Sequence, residues 1–435
     1  MRLVYTALFY ALAPLLLFRL FWKGLKQPGY RQRIGERFGF YAGPSRDISI
    51  WIHAVSVGEC EAAFPLIQAL LADSESNALL VTCTTPTGSQ RIRDVLGDRV
   101  QHVYLPYDLP FGINRFFDHF RPRLGLIMET EVWPNLFLAA QERQLSLGII
   151  NGRLSDQSVK GYARIQGLIR RSLAGVKLIA AQTPADAAAY ARLGAPTDAI
   201  HTTGNIKFDV EFDRTMQQHA KSLRHTLFGE RPVWIAGSTH PGEEEQLLEA
   251  LDRIRAAVPH VLLVLAPRHP ERTPAITELC RQAGYAVQTR SEGKPCRADT
   301  SVFLIDGVGE LRLFYGTADV AYIGGSLVPH GGQNVLEAAS AGLPVLFGPH
   351  VSNFRDICRN LLSQEAATQI QNAAGLAEWI TRWLQMPELA AACGERGRAY
   401  VESNRGALRA VLVLIRSMPG YLPTGEQSIL HSTHT

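Results

Sequence analysis

Cysteine is scarce and unpatterned in this chain. The six residues Cys60, Cys83, Cys280, Cys296, Cys358 and Cys393 show no CxxC or Cys/His spacing, so neither a zinc site nor a disulfide framework is supported. Reduced thiols in the cytoplasm are the simplest reading. Charge is sparse as well. Lys and Arg number 44 against 40 Asp and Glu, a net of +4. No Lys/Arg stripe interleaved with aromatics stands out, which argues against nucleic acid as a partner. No DxD is present, so a metal bridging a diphosphate is unsupported and no metal site is expected. A Walker loop is missing, and no GxGxxG opens the first βα unit, which argues against ATPases and ordinary dinucleotide dehydrogenases. There is no sequence repeat, and no small-residue cleavage site follows the apolar amino terminus.

That amino terminus is the first positive feature. Leu3 to Phe18 is apolar throughout, Leu20, Phe21 and Trp22 extend it, and Pro14 interrupts it. Lys23, Lys26, Arg31, Arg33 and Arg37 follow. Without a cleavage site, a retained anchor is expected. The span is borderline for crossing a bilayer. Positive charge on its carboxyl side places the next domain in the cytoplasm and favours anionic head groups. A buried helix with a solvated basic flank is the alternative.

A chain of 435 residues exceeds one ordinary core, so two domains are expected. Hydrophobic residues make up 46% and charged residues 19%, as in folded globular proteins. In the first half, strand candidates at 48–54, 78–83, 102–105, 124–128, 147–150 and 178–181 alternate with helical patterns at 60–71, 89–96, 134–144 and 185–193. The second half repeats the style, with strands at 233–236, 261–266, 286–289, 302–305, 320–323 and 345–347. Helices at about 376–385 and 407–417 close the chain. Alternation at this spacing reads as α/β, with parallel sheets and crossover helices. The expected divisions are an anchor at 1–22, a basic juxtamembrane segment at 23–46, a first domain at 47–205, a linker at 206–232, a second domain with its closing helices at 233–420, and a tail at 421–435. Two doubly wound domains are expected to face a shared cleft, one holding a nucleotide donor and the other the acceptor.

The segment 324–350, GGSLVPHGGQNVLEAASAGLPVLFGPH, is the strongest local signal. A strand ends at Gly324-Gly325, the loop returns at Gly331-Gly332, and a small-residue helix spans about 334–341. Glycines admit a ligand to the backbone, and helix N–H groups attract phosphate. Asn334 and Glu337 are spaced as a capping pair, or Glu337 holds a ribose diol. In IWIHAVSVGECEA, Ser56 and Glu59 likewise stand in capping-box spacing beside Gly58. A carboxylate at that strand exit could instead act as general base on an acceptor hydroxyl. His53 reads first as a packed histidine. Glu129 and Glu131 in LIMETEVWPN follow a buried strand, one pointing to the cleft and the other at the surface or capping the next helix. Lys207 in GNIKFD and Arg268-His269 in APRHPER place positive charge at strand exits, which suits a departing phosphate.

Taken together, HAVSVGE (53–59), METEVWPN (128–135), GNIKFD (204–209), APRHPER (266–272) and GGQNVLEAASAGLPVLFGPH (331–350) resemble the 3-deoxy-D-manno-octulosonic acid (Kdo) transferase family. The resemblance implies a GT-B glycosyltransferase fold of two Rossmann-like domains with an N-terminal membrane-anchor helix. It implies transfer of Kdo from CMP-Kdo to the lipid A precursor, with inversion, without metal or other cofactor, at the cytoplasmic face of the inner membrane. By matching positions, Glu59 is the general base, and Glu129 and Lys207 support the transition state. Arg268, His269, Gly309, Glu310, Leu311, Asn334, Val335, Leu336 and Glu337 form the CMP site. His53, Ser56, Gly58, Gly331 and Gly332 are candidate acceptor or loop contacts. A UDP-sugar transferase, a sugar-nucleotide epimerase, and a non-catalytic sugar-nucleotide-binding protein remain as alternatives.

Overall fold

Strands of the first unit are near-continuous apolar runs, as parallel sheets covered on both faces require. They are β1 (Ile50–His53), β2 (Leu79–Cys83), β3 (Gln101–Tyr104), β4 (Leu124–Met128), β5 (Ser146–Gly152), β6 (Val176–Ala181) and β7 (Ile200–Thr202). All pair in parallel, in the order β3-β2-β1-β4-β5-β6-β7. Side chains alternate between faces: Ile50 and Ile52 join one buried cluster, Trp51 the other. The computed structural model describes residues 1–43, 47–73 and 78–421, without the side chains of Lys26 and Asp156. The expected tail, beyond Tyr421, lies outside the described residues.

The second unit has its own seven-stranded parallel sheet. Its strands are β8 (Val233–Thr239), β9 (Leu262–Pro267), β10 (Val287–Thr289), β11 (Val302–Leu304), β12 (Val320–Ile323), β13 (Val345–Phe347) and β14 (Ala367–Gln369), in the order β10-β11-β9-β8-β12-β13-β14. The sequence reading misses β14, whose three residues include Thr368 and Gln369 and carry little apolar signal.

Unit boundaries differ from the sequence expectation. The first unit comprises residues 1–209 and the segment from Gly406 onward, and the second comprises 210–405. The closing helix Ala407–Arg416 therefore belongs to the first unit, where Val411, Ile415 and Met418 join Leu124, Leu126 and Leu178 in one core. Asp209 fixes this return by accepting the N–H groups of Gly406 and Leu408, both at 2.7 Å. The expected linker is largely a helix, Arg214–Leu227, with Asp213 as its N-cap. It reads as a linker because Ala220 and Leu227 are its buried residues and the rest is polar.

The apolar amino terminus forms one helix, α1 (Arg2–Lys26), which runs through Pro14 rather than stopping there. Proline forfeits one hydrogen bond, and the turns on either side carry the helix across it. The basic segment behind it is only partly solvent-facing. Arg33 makes a two-pronged pair with Glu36 and also reaches Ser89 and the His102 carbonyl. Arg37 is buried, donates to the Thr84 carbonyl and lies 4.0 Å over the Tyr104 ring. These two arginines are structural, so they do not serve a lipid surface.

Candidate functional site

In the first sheet, chain order reverses between neighbouring strands β1 and β4, and ligands favour the carboxyl edge at such a reversal. Two carboxylates stand there. After β1 a three-residue turn leads into helix α2 (Val57–Asp73), with Glu59 in its first turn. Val55 donates its N–H to Glu59 Oε2 at 2.7 Å. The Ser56 hydroxyl contacts Oε1 and the Glu59 N–H, both at 3.4 Å. The expected Ser56–Glu59 cap is thus loose, and the short bond goes to Val55. Removal from water pushes the Glu59 carboxyl up to about 8. Glu129 and Glu131 add to that rise, and the Val55 N–H and the Lys207 ammonium oppose it.

Glu129 follows β4 with φ of +55°, in the left-handed region. That conformation costs a β-carbon-bearing residue about 1 kcal/mol. The surroundings enforce it. Glu129 N–H donates to Ile150 O at 2.9 Å, and Glu129 O accepts from the Tyr190 hydroxyl at 3.1 Å. The carboxylate is thereby turned to Lys207, whose Nζ donates to Oε1 at 3.1 Å with both side chains largely buried. Lys207 sits on a single turn after β7, held where Asn205 accepts its N–H and Asn151 accepts that of Ile206, each at 3.0 Å. Glu131 takes the Trp133 indole N–H, and burial raises its carboxyl above the usual range. It is half-buried, and it does not cap the following helix. The cap of helix Pro134–Glu142 is Asp108, which accepts the N–H groups of Asn135 and Leu136 at 3.0 and 2.9 Å. Asp108 lies outside any motif near that helix, so sequence spacing could not find it.

His53 is not an open contact for an incoming group, although its ring lies 6.2 Å from that of Trp133 in the loop after β4. It is fully buried, with Nδ1 on Thr82 Oγ1 at 2.9 Å, and burial holds its imidazole down at about 3. Gly58 is exposed, and a β-carbon there would meet Ser56 Oγ at 4.0 Å, so the position is open to an incoming group.

The second cluster surrounds the carboxyl ends of β8 and β12, the order reversal of the other sheet. Here the glycine loop behaves differently from the sequence reading. The N–H groups of Gly325, Ser326 and Leu327 all donate to the Glu243 carboxylate, at 2.7, 3.1 and 3.1 Å. Glu243 is fully buried and also takes the Tyr322 hydroxyl at 2.6 Å and the His240 N–H at 2.9 Å. The loop N–H groups after Gly324 are thus taken by an internal carboxylate and are not open to a ligand. Glu243 stands just before the helix Glu244–Ala257 and belongs to no motif that the sequence reading singled out. Gly324 is required for another reason: a β-carbon there would lie 2.4 Å from Ser238 O.

The expected helix at 334–341 is shorter, Leu336–Ser340. Asn334 Oδ1 accepts Leu336 N–H at 3.0 Å and its Nδ2 donates to Glu337 Oε1 at 3.2 Å. Val335 and Leu336 are buried in the core, so their side chains cannot touch a ligand and their backbone alone is available. Gly331 and Gly332 take positive φ and are buried; Gly332 N–H donates to Gly325 O at 2.8 Å. Gly309, Glu310 and Leu311 form the exit from β11 and the start of helix Leu311–Tyr315, with Arg290 donating to Glu310 at 3.2 Å. Arg268 follows β9, tied by its N–H to Thr239 O at 3.0 Å, and His269 beside it is exposed.

One member of this cluster escapes the sequence reading. His240 stacks on His330 at 4.2 Å, lies 6.0 Å from the His269 ring, and accepts from Gln333 Nε2 at 3.0 Å. Burial, then His330, His269, Arg268 and Arg272, hold it down at about 4. Burial is thus the main reason the imidazole resists a proton, and the neighbouring cationic side chains add to it. The strand exit before it, GST (237–239), was the available signal. Among the described residues, no group of three or more His, Cys, Asp or Glu side chains is arranged to hold a metal ion.

A family model described as 3-Deoxy-D-manno-octulosonic-acid transferase (kdotransferase) matches residues 32–210, and one described as Glycosyl transferases group 1 matches residues 243–400. The 3-deoxy-D-manno-octulosonic acid transferase of Haemophilus influenzae is 39% identical over 418 residues, covering 95% of this chain and 98% of that protein. The chain belongs to the Kdo transferase family. The Bordetella pertussis transferase is 36% identical, covering 94% of this chain and 98% of its own. Among solved structures, a putative UDP-N-acetylglucosamine 2-epimerase from Listeria monocytogenes aligns with a TM-score of 0.53 over 86% of this chain and 97% of its own, at 16% identity, which speaks for the fold alone. The Kdo transferase described here is a glycosyltransferase with the GT-B arrangement of two Rossmann-like domains.

Proposed function

We propose that this Kdo transferase moves Kdo from CMP-Kdo to a hydroxyl of a lipid A precursor, with inversion, using Glu59 as general base. The observation that carries the reading is the Glu59 carboxyl: it stands at the carboxyl edge of the sheet with its proton affinity raised to about 8 beside Glu129 and Lys207. A base works best when its affinity lies near the working pH. The acceptor oxygen gives its proton to Glu59 and bonds to the anomeric carbon of Kdo, while the bond from that carbon to the CMP phosphate oxygen breaks on the opposite face. CMP leaves as an anion, so no strong acid is needed. Lys207 lowers the affinity of Glu59 for a proton, and Glu129 holds Lys207 in place. Arg268 and His269, beside the positive surroundings of His240, suit the nucleotide phosphate. The exposed apolar surface of α1, a helix long and apolar enough to cross a membrane, suits a lipid-borne acceptor at the inner membrane.

The deciding experiment is transfer from CMP-Kdo to purified lipid A precursor by Glu59→Gln, followed by mass spectrometry. A loss of about 10²–10⁴-fold with CMP affinity kept is expected. Full transfer by this variant overturns the base assignment.

A further inference from the structure

Helix α1 is laid along the first unit rather than projecting from it. Its less exposed positions, Arg2, Tyr5, Phe9, Ala13, Leu16 and Leu20, recur every three to four residues and form one face. That face is held at both ends. Near the start, the Tyr5 hydroxyl donates to Asp108 at 2.8 Å, and Arg2 and Thr6 reach Asn135 Oδ1 at 3.3 and 3.1 Å. Asp108 is almost fully buried and caps helix Pro134–Glu142, so the lock engages the folded unit itself. Near the other end Leu20 is buried, and the chain passes directly into the segment that Arg33 and Arg37 tie to Ser89 and to the His102 and Thr84 carbonyls. In between, Tyr10 and Ala13 line a cavity of about 230 Å³ with Phe38, Tyr107 and Phe111.

The opposite face is apolar and exposed. Val4, Leu15 and Trp22 are 69%, 62% and 63% exposed. Separations of 11 and 7 residues put them on one line of the helix. Exposed Phe40 and Phe111 also line that cavity, with the Arg115 guanidinium 4.5 and 5.5 Å over their rings. Arg19 and Lys23 are exposed along the second half, and Arg31 is exposed in the turn just after it. An apolar stripe flanked by cations and aromatics on a helix lying flat matches the interfacial region of an anionic bilayer.

A helix of this length is about 37 Å long. If it crossed the bilayer, its two ends would lie on opposite sides, yet both ends are fastened to one folded unit. We propose that α1 is a monotopic anchor: it lies in the plane of an anionic phospholipid surface, with both ends on the side of the folded units. This deepens, and rests on, the membrane-lipid reading above.

Nitroxide labels placed singly at Val4→Cys, Leu15→Cys and Trp22→Cys, in the full chain with Cys296→Ser, test it. All three side chains are exposed, so the core is untouched. Depth is read from oxygen against nickel-complex accessibility in mixed phosphatidylglycerol–phosphatidylethanolamine vesicles. The expected result is one shared shallow depth, about 5–10 Å below the head groups. A deep Leu15 label between shallow Val4 and Trp22 labels means that the helix spans, and overturns the proposal while leaving membrane association standing. Labels unchanged by vesicles mean that the membrane reading itself fails, and the proposal with it. As a second readout, Tyr5→Phe removes one lock and is expected to raise the mobility of the Val4 label before vesicles are added, with the Trp22 label unmoved; equal mobility at Val4 overturns the docking.

Discussion

Glu59 is held in a protonation state at odds with its residue type, and that has two measurable results. Its carboxyl titrates near 8 when folded and near 4.5 when unfolded, so the folded state binds more protons between those values. Folding stability attributable to this side chain therefore falls as pH rises from 4.5 through 8. Glu59→Gln should melt higher than the parent, by more at pH 9 than at pH 5, while transfer collapses; calorimetry at the two pH values checks it. The neighbours set the kinetic limb. Glu129 raises the Glu59 affinity and Lys207 lowers it. The acid limb of the kcat/KM profile should move to lower pH in Glu129→Gln and to higher pH in Lys207→Met, whatever the change in absolute rate. Shifts in the same direction would mean that the pair does not act on Glu59. Sequence spacing brought Glu59, Glu129 and Lys207 forward because strand exits are visible in the apolar pattern. It could not show that Glu129 is turned by a left-handed backbone, since that conformation is imposed by Ile150 and Tyr190, both distant in sequence.

At the scale of elements, the loop after β12 is organised by Glu243 from inside. Three consecutive N–H donors and a tyrosine hydroxyl converge on one buried carboxylate. Glu243→Gln puts an NH₂ group against donors and leaves at least one unsatisfied, at a cost of about 1–3 kcal/mol. Hydrogen exchange should quicken across residues 324–328 and CMP affinity should drop, with exchange in the first unit unchanged. The glycines of this loop were legible and their partner was not. A run of three glutamates, 243–245, reads as solvated, yet Glu243 and Glu244 are buried and Glu244 makes a two-pronged pair with Arg272 at 2.8 and 2.9 Å. Strands fared well because both sheet faces are covered and the runs are apolar. The helix Arg214–Leu227 escaped because so little of it is buried.

For the whole molecule, acid sensitivity follows from three histidines. His53, His102 and His240 are held below their usual range, at about 3, 4 and 4, chiefly by burial. Each binds a proton more readily when unfolded, so its stabilising share is complete above about 6.5 and is lost as pH falls toward the folded value. Denaturant titrations at pH 7, 6 and 5 should show stability dropping on acidification, and His53→Gln should flatten that slope. The closing helix makes a further difference visible. Truncation after Arg405 strips Val411 and Ile415 from the first core, so exchange should rise in β4 and β6 and stay level in β8 and β9. Sequence alone assigned that helix to the wrong half, because chain order suggests neighbours and the core is chosen by shape.

Asp209 gives this boundary a practical meaning. One carboxylate marks both the departure of the chain into residues 210–405 and its return at Gly406. The second unit is thus a cassette spliced into its host at a single point. It should be exchangeable with that of the Haemophilus influenzae relative through two junctions, and the graft should inherit its donor preference while the host keeps its own choice of alcohol.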